Sequence, residues 1–146
     1  MKSAIFVVLS IISAEAAKVH NITVSGTVTC AKHRQSNVLV ELWERDIGGP
    51  IDPHDLLAKI HSDPLGEFRL AGEGKEVGLP PHFCSLVNLG TIEPFIRITH
   101  NCSTKEGCTR RTEFDIPQQH VNGQPYDMGF IILGDVQAKD ETTCPP

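Results

Sequence analysis

From Ile22 to Cys30 the chain alternates, with Ile22, Val24, Gly26, Val28 and Cys30 on one side and Thr23, Ser25, Thr27 and Thr29 on the other. A period of two is what a strand with one buried face requires, and it puts Cys30 in phase with the core. After a polar turn over 32–37, Val38, Val40 and Leu42 alternate with Leu39, Glu41 and Trp43. This predicts a second strand closing a hairpin on the first. The run 46–53 carries Gly48, Gly49, Pro50 and Pro53 and reads as loop. A short third strand from Leu57 to His61 stops at the turn signal Asp63-Pro64-Leu65-Gly66, and Phe68 and Leu70 mark a fourth. Residues 72–93 hold Gly72, Gly74, Gly78, Pro80 and Pro81 without a clear period, which predicts a long loop.

Regularity returns at Phe95, where Ile96, Ile98, His100 and Cys102 share one face and Arg97, Thr99 and Asn101 the other. Thr112, Phe114 and Ile116 give a sixth strand that Pro117 ends, and Tyr126 to Leu133 a seventh. That last run is apolar on both faces, the composition of a strand central in its sheet. Seven short strands, turn signals between them and no 3.6-residue pattern in the body of the chain predict an all-β, two-sheet sandwich of about seven strands.

The first residues follow a different rule. Lys2, the apolar run Ala4 to Ile12 and the small-x-small site Ala14-Glu15-Ala16 compose a secretory signal peptide, so 1–16 is expected to be removed. A β-sandwich domain over 17–135 and a C-terminal tail over 136–146 are then expected, in a chain of 146 residues that suits one core. No apolar run approaches the roughly 20 residues a membrane-spanning helix needs, so the mature chain is expected to be soluble and extracellular.

Secretion decides how the cysteines are read. In an oxidising compartment Cys30, Cys102, Cys108 and Cys144 are disulfide candidates before they are ligands or nucleophiles. Two solutions stand open: a local clip Cys102–Cys108 with Cys30–Cys144, or Cys30–Cys102 with Cys108–Cys144. Cys84 makes the count odd. The sequons Asn21-Ile22-Thr23 and Asn101-Cys102-Ser103 make Asn21 and Asn101 candidate glycosylation sites.

The remaining chemistry is thin. A net charge of -5 and a single basic pair, Arg110-Arg111, argue against nucleic acid. There is no G-x-S-x-G elbow and no phosphate-binding glycine pattern, so no catalytic residue is assigned. His20, His33, His54, His61, His82, His100 and His120 are dispersed, with no two at i, i+2 or i, i+4, and read as surface and core histidines rather than a metal set; His100 is the foremost core member. Asp46, Asp52 and Asp55 lack the register of a calcium loop, and no metal or other cofactor is expected. Cys84 has no designated base and reads as inert. The feature of most functional promise is the outward line Leu39, Glu41 and Trp43, a possible binding face with a tryptophan anchor.

Taken in order, "VSGTVTCAKHRQSNVLVELWERD", "DPHDLLAKIHSDPLGEFRLAGE" and "IEPFIRITHNCSTKEGCTRRTEFDIP" resemble the nematode transthyretin-like family of small secreted proteins. The match runs from about Val24 to Leu133, carried by the G-x-V-x-C, E-L-W-E-x-D, D-P-x-D-L-L, G-E-F and H-N-C blocks. The resemblance implies a prealbumin-like β-sandwich, gives Cys144 a counterpart in the family, and marks 77–90, with Cys84, as an insertion. The hydroxyisourate hydrolase branch of the wider superfamily ends in Tyr-Arg-Gly-Ser, whereas this sequence ends "DETTCPP". An enzyme of that type is therefore the lesser alternative. The resemblance implies an extracellular, non-enzymatic binding protein whose partner is a lipid, a small apolar ligand or a cell-surface receptor.

Overall fold

A computed structural model describes residues 18–45, 54–76, 91–135 and 139–146. The signal-peptide region, Asp46 and Asp52, and the 77–90 segment with His82 and Cys84 lie outside the described residues. Among the described residues the chain forms nine strands: β1 (Lys18–Cys30), β2 (His33–Arg34), β3 (Leu39–Glu44), β4 (Asp55–His61), β5 (Glu67–Glu76), β6 (Pro94–His100), β7 (Thr109–Asp115), β8 (Tyr126–Ile132) and β9 (Asp140–Thr143). The one helical element among them is a single 3-10 turn, Gln118–His120. No helix among the described residues is long and apolar enough to cross a membrane.

The strands make two sheets, one ordered β2-β1-β5 with β8 on the other side of β1, and one ordered β4-β3-β6-β7-β9. Their inner faces meet in one core. Ile22, Val24 and Val28 from β1, Phe68 and Leu70 from β5, and Ile131 from β8 pack against Val40 and Leu42 from β3 and Ile96 and Ile98 from β6. The two-residue alternation supplies one such side chain at every second position, so each sheet buries one face and leaves the other to water.

Four expectations change on contact with this architecture. The segment Leu39–Glu44 does not close a hairpin on β1. That partner is β2, through Thr29↔Arg34 and Cys30↔His33, with Ala31 left-handed at φ 53° in the turn. Asn37, also left-handed at φ 59°, then turns the chain into the other sheet, where the Ser62 hydroxyl accepts the Val38 N–H at 3.0 Å.

The second change concerns 72–76, expected as loop, which completes β5. The glycines there report close packing rather than a break. A Cβ on Gly72 would stand 2.8 Å from Leu57 Cβ, and one on Gly74 2.5 Å from Glu44 Oε2. Third, β8 is an edge strand. It runs parallel to β1 (Val24↔Tyr126 to Thr29↔Ile132), and no other described strand pairs with it. Fourth, 140–143, expected as tail, forms β9 and pairs antiparallel with β7 from Thr109↔Thr143 to Thr112↔Asp140.

Candidate functional site

The disulfides follow from this topology. Cys30 ends β1 on its inward side, Cys102 lies two residues past β6 in the opposite sheet, and they are bonded with Cα atoms 5.7 Å apart, stapling the layers together. Cys108 and Cys144 stand one step beyond the Thr109↔Thr143 pair of the β7–β9 ladder and are also bonded, Cα to Cα 4.2 Å. The local Cys102–Cys108 clip is excluded.

Next to the inter-sheet staple sits a buried polar cluster. His100, 6 % exposed, accepts the Cys102 backbone N–H at Nδ1 (3.1 Å), so its proton sits on Nε2 and points at Thr112 Oγ1, 3.0 Å away. Arg110, the register partner of His100 on β7, is paired with Asp140 of β9. Burial holds the His100 imidazole below its ordinary protonation range, Arg110 pushes the same way, and Asp140 acts in opposition. A second buried histidine, His20, is 2 % exposed at the other end of β1. Asn122 Oδ1 accepts the Asn21 N–H at 2.7 Å, which turns the Asn122 amide nitrogen toward His20 Nδ1 at 3.0 Å. His20 is thereby fixed with its proton on Nε2, an atom that has no hydrogen-bond partner.

The remaining described histidines are separate. His33 and His61 are exposed, His54 meets Phe95 edge-on at 5.7 Å, and His120 stacks on Tyr126 at 4.5 Å. Among the described residues no group of three or more His, Cys, Asp or Glu converges on a metal-sized space.

Leu39, Glu41 and Trp43 all face outward from β3, each half-buried. Among the described residues, however, the indole is covered from β6. The Arg97 guanidinium lies 4.6 Å from the Trp43 ring centroid and 5.4 Å from that of Phe95, while Arg45 lies 4.4 Å from Phe95. Both cations are held by carboxylates: Arg97 donates twice to Glu113 Oε1 (3.0 and 2.7 Å), and Arg45 to Glu113 (3.3 Å) and Asp115 (2.8 Å). Lys139 completes the row on Asp115 at 2.7 Å; its hydrogen bond, followed by that of Arg45, holds the Asp115 carboxyl below the usual range. A depression of about 240 Å³ in this face is lined by Arg97, Arg111, Glu113, Lys139, Asp140 and Glu141. Opposite charges already satisfy one another across it.

The freely presented aromatic is elsewhere. Because β8 is an edge and Ile131 turns into the core, Phe130 and Ile132 turn out, 66 % and 45 % exposed. Arg34 reaches across the sheet to stand 5.5 Å from the Phe130 ring centroid, donating to the Leu65 carbonyl (3.0 Å) and Glu67 (3.2 Å). Leu65 is itself 57 % exposed, and Lys32 and His33 are exposed in the adjoining hairpin. The signal was present in the sequence as the apolar–apolar run 130–133. Its two-sided character came from an outward edge rather than from burial on both faces. The two sequon asparagines are both exposed, Asn21 near the start of β1 and Asn101 just past β6.

Among the described residues, two packed sheets joined by an inter-sheet disulfide define the class as a β-sandwich module. The comparison with known proteins narrows it. Residues 25–117 match the model of the transthyretin-like family, and the chain belongs to that family. Its relatives include transthyretin-like protein 16 of Caenorhabditis elegans, 35 % identical over 80 % of this chain and 77 % of that one, and transthyretin-like protein 33 of the same organism, 31 % identical over 92 % and 85 %. Among solved structures, a 9R-lipoxygenase from Cyanothece PCC8801 reaches a TM-score of 0.42 at 19 % identity over 78 % of this chain and 16 % of that one, a likeness too slight to bear on function.

Proposed function

We propose that this chain is a secreted, non-enzymatic extracellular binding protein that recognises a cell-surface protein through the Phe130 edge rather than through an internal cavity. The observation that carries the reading is the pairing of an exposed aromatic, Phe130, with Arg34, flanked by Ile132 and Leu65. Aromatic and arginine side chains set among aliphatic surface are the groups that dominate protein–protein binding energy. Lys32 and Arg34 put positive charge beside the ring on a chain whose net charge is -5, and that local sign favours a partner with acidic side chains around an apolar spot. Two disulfides suit an oxidising compartment and support the secreted setting. The depression described beside Arg97 does not suit a small apolar ligand, because it is lined by charged groups that already pair with one another.

The test is binding of fluorescently labelled mature protein to cultured nematode cells, before and after trypsin treatment of the cells, and to phosphatidylcholine vesicles with and without phosphatidylserine. Saturable, trypsin-sensitive cell binding that falls at least tenfold in Phe130→Ala or Arg34→Glu is expected. Binding to bare vesicles, or binding that Trp43→Ala abolishes and Phe130→Ala leaves intact, overturns this assignment of the surface. Turnover of 5-hydroxyisourate above buffer overturns the non-enzymatic reading.

A further inference from the structure

The sequon at Asn101 has a feature the one at Asn21 lacks: its middle residue is a disulfide cysteine. In the folded chain Cys102 is buried and bonded to Cys30, while Asn101 beside it is exposed. The backbone around the sequon is closed into a turn. The Asn101 carbonyl accepts both the Thr104 N–H (3.3 Å) and the Thr104 hydroxyl (2.8 Å), and Ser103 is left-handed at φ 55°. The Ser103 hydroxyl lies 3.7 Å from Cys102 Sγ and faces Gly134, where even a Cβ would stand 3.2 Å from it.

Glycan transfer needs that hydroxyl and the Asn101 carboxamide engaged together by the transferase, on chain still free to bend into its site. Asn101 and Ser103 both stay exposed in the folded chain, so closing the Cys30–Cys102 bond removes the second condition: it fixes the backbone of the sequon in its turn. The Asn21-Ile22-Thr23 sequon contains no cysteine and carries no such conflict.

We propose that Asn101 is an N-glycan acceptor whose occupancy is set by a race between glycan transfer and closure of the Cys30–Cys102 disulfide. This rests on the secretory reading above. In one branch the Asn101 amide nitrogen bonds to the anomeric carbon of a lipid-diphosphate-linked oligosaccharide, losing a proton as the lipid diphosphate leaves. In the other, the Cys30 and Cys102 thiols give two electrons and two protons to a disulfide-donating oxidoreductase of the same compartment, and the sequon is locked before transfer. Both products fold, because the asparagine side chain points to solvent. They differ in whether a sugar stands at Asn101, one residue from the inter-sheet staple.

The test is cell-free translation of the full chain with endoplasmic-reticulum microsomes, with and without dithiothreitol, scored by glycan-sensitive gel shift against Asn21→Gln and Asn101→Gln. Dithiothreitol is expected to raise Asn101 occupancy at least twofold and leave Asn21 unchanged. Cys30→Ser without reductant should reproduce the gain, and Cys144→Ser should not. These readouts precede folding, so they do not depend on either variant reaching the native state. Leader removal together with equal Asn101 occupancy in both conditions, whether full or nil, overturns the race alone. Absence of leader removal and of protease protection overturns the secretory reading itself.

Discussion

The outer face of the β4-β3-β6-β7-β9 sheet and the β8 edge of the other sheet both carry an aromatic and an arginine, yet they are built to opposite ends. On the first, Arg97 lies over Trp43 and is itself gripped by Glu113, so ring, cation and anion are consumed within the molecule. On the second, Arg34 is likewise paired, with Glu67, but it only reaches Phe130 at 5.5 Å and most of the ring stays open to water. The same residue types thus make a closed surface in one place and an open one in the other. What differs is strand position: Trp43 has a neighbouring strand on each side to supply a cover, and Phe130 has only one among the described strands.

The comparison can be broken most forcefully at the staple that both faces share. Replacing Cys30 and Cys102 together by serine frees a loop of sequence separation 72 and should lower the unfolding free energy by about 4 kcal/mol in denaturant titrations. A loss confined to one sheet's reporters would show that the two faces are held independently. Glu113→Ala comes next. It leaves Arg97 without its carboxylate over Trp43 and Arg45 with Asp115 alone, and should cost about 1–2 kcal/mol. Trp43 is the single tryptophan, so its emission should move to the red if Arg97 is the cover.

A smaller effect is expected from pH. In the unfolded chain His100 takes up its proton near 6.5, whereas in the folded chain burial and Arg110 hold it neutral to lower pH. The unfolded state therefore binds more protons, and stability is fully present above that value and falls as the pH drops from it toward the lower folded value. Melting temperatures between pH 7.5 and 5 should decline, and His100→Gln should flatten the slope. The smallest change belongs to the open edge: Phe130→Ala should alter stability by no more than about 0.5 kcal/mol, the usual range for surface substitutions. A larger loss would mean that the ring is packed rather than presented.

Much of this was legible in the residues. The alternation at 22–30, 38–43 and 95–102 placed the inward sides of β1, β3 and β6, including His100 and Cys102. What escaped was everything that depends on which strand lies beside which. Trp43 was recognised as outward, but its cover comes from Arg97, 54 positions away in sequence by the numbering, a neighbour that only the β3–β6 register supplies. Gly72 and Gly74 look like breakers in isolation and are strand residues because Leu57 and Glu44 come too close for a side chain. Phe130 and Ile132 carry the composition of a central strand and sit at an edge, since composition records how apolar a face is and not what covers it. The disulfide choice was undecidable for the same reason.

Gly129 sits in that edge at φ 64°, with its N–H on Asp127 Oδ1 at 2.9 Å, where one β1 residue between Ser25 and Thr27 opposes two of β8. An extra residue there breaks the even spacing of free amides and carbonyls that another chain would have to match. The kink therefore lets the molecule display an apolar strand without offering it as a template for fibril growth. Straightening it, as by deleting Gly129, should convert a specific contact surface into a seed for self-stacking, visible as a shortened lag in thioflavin-T assays.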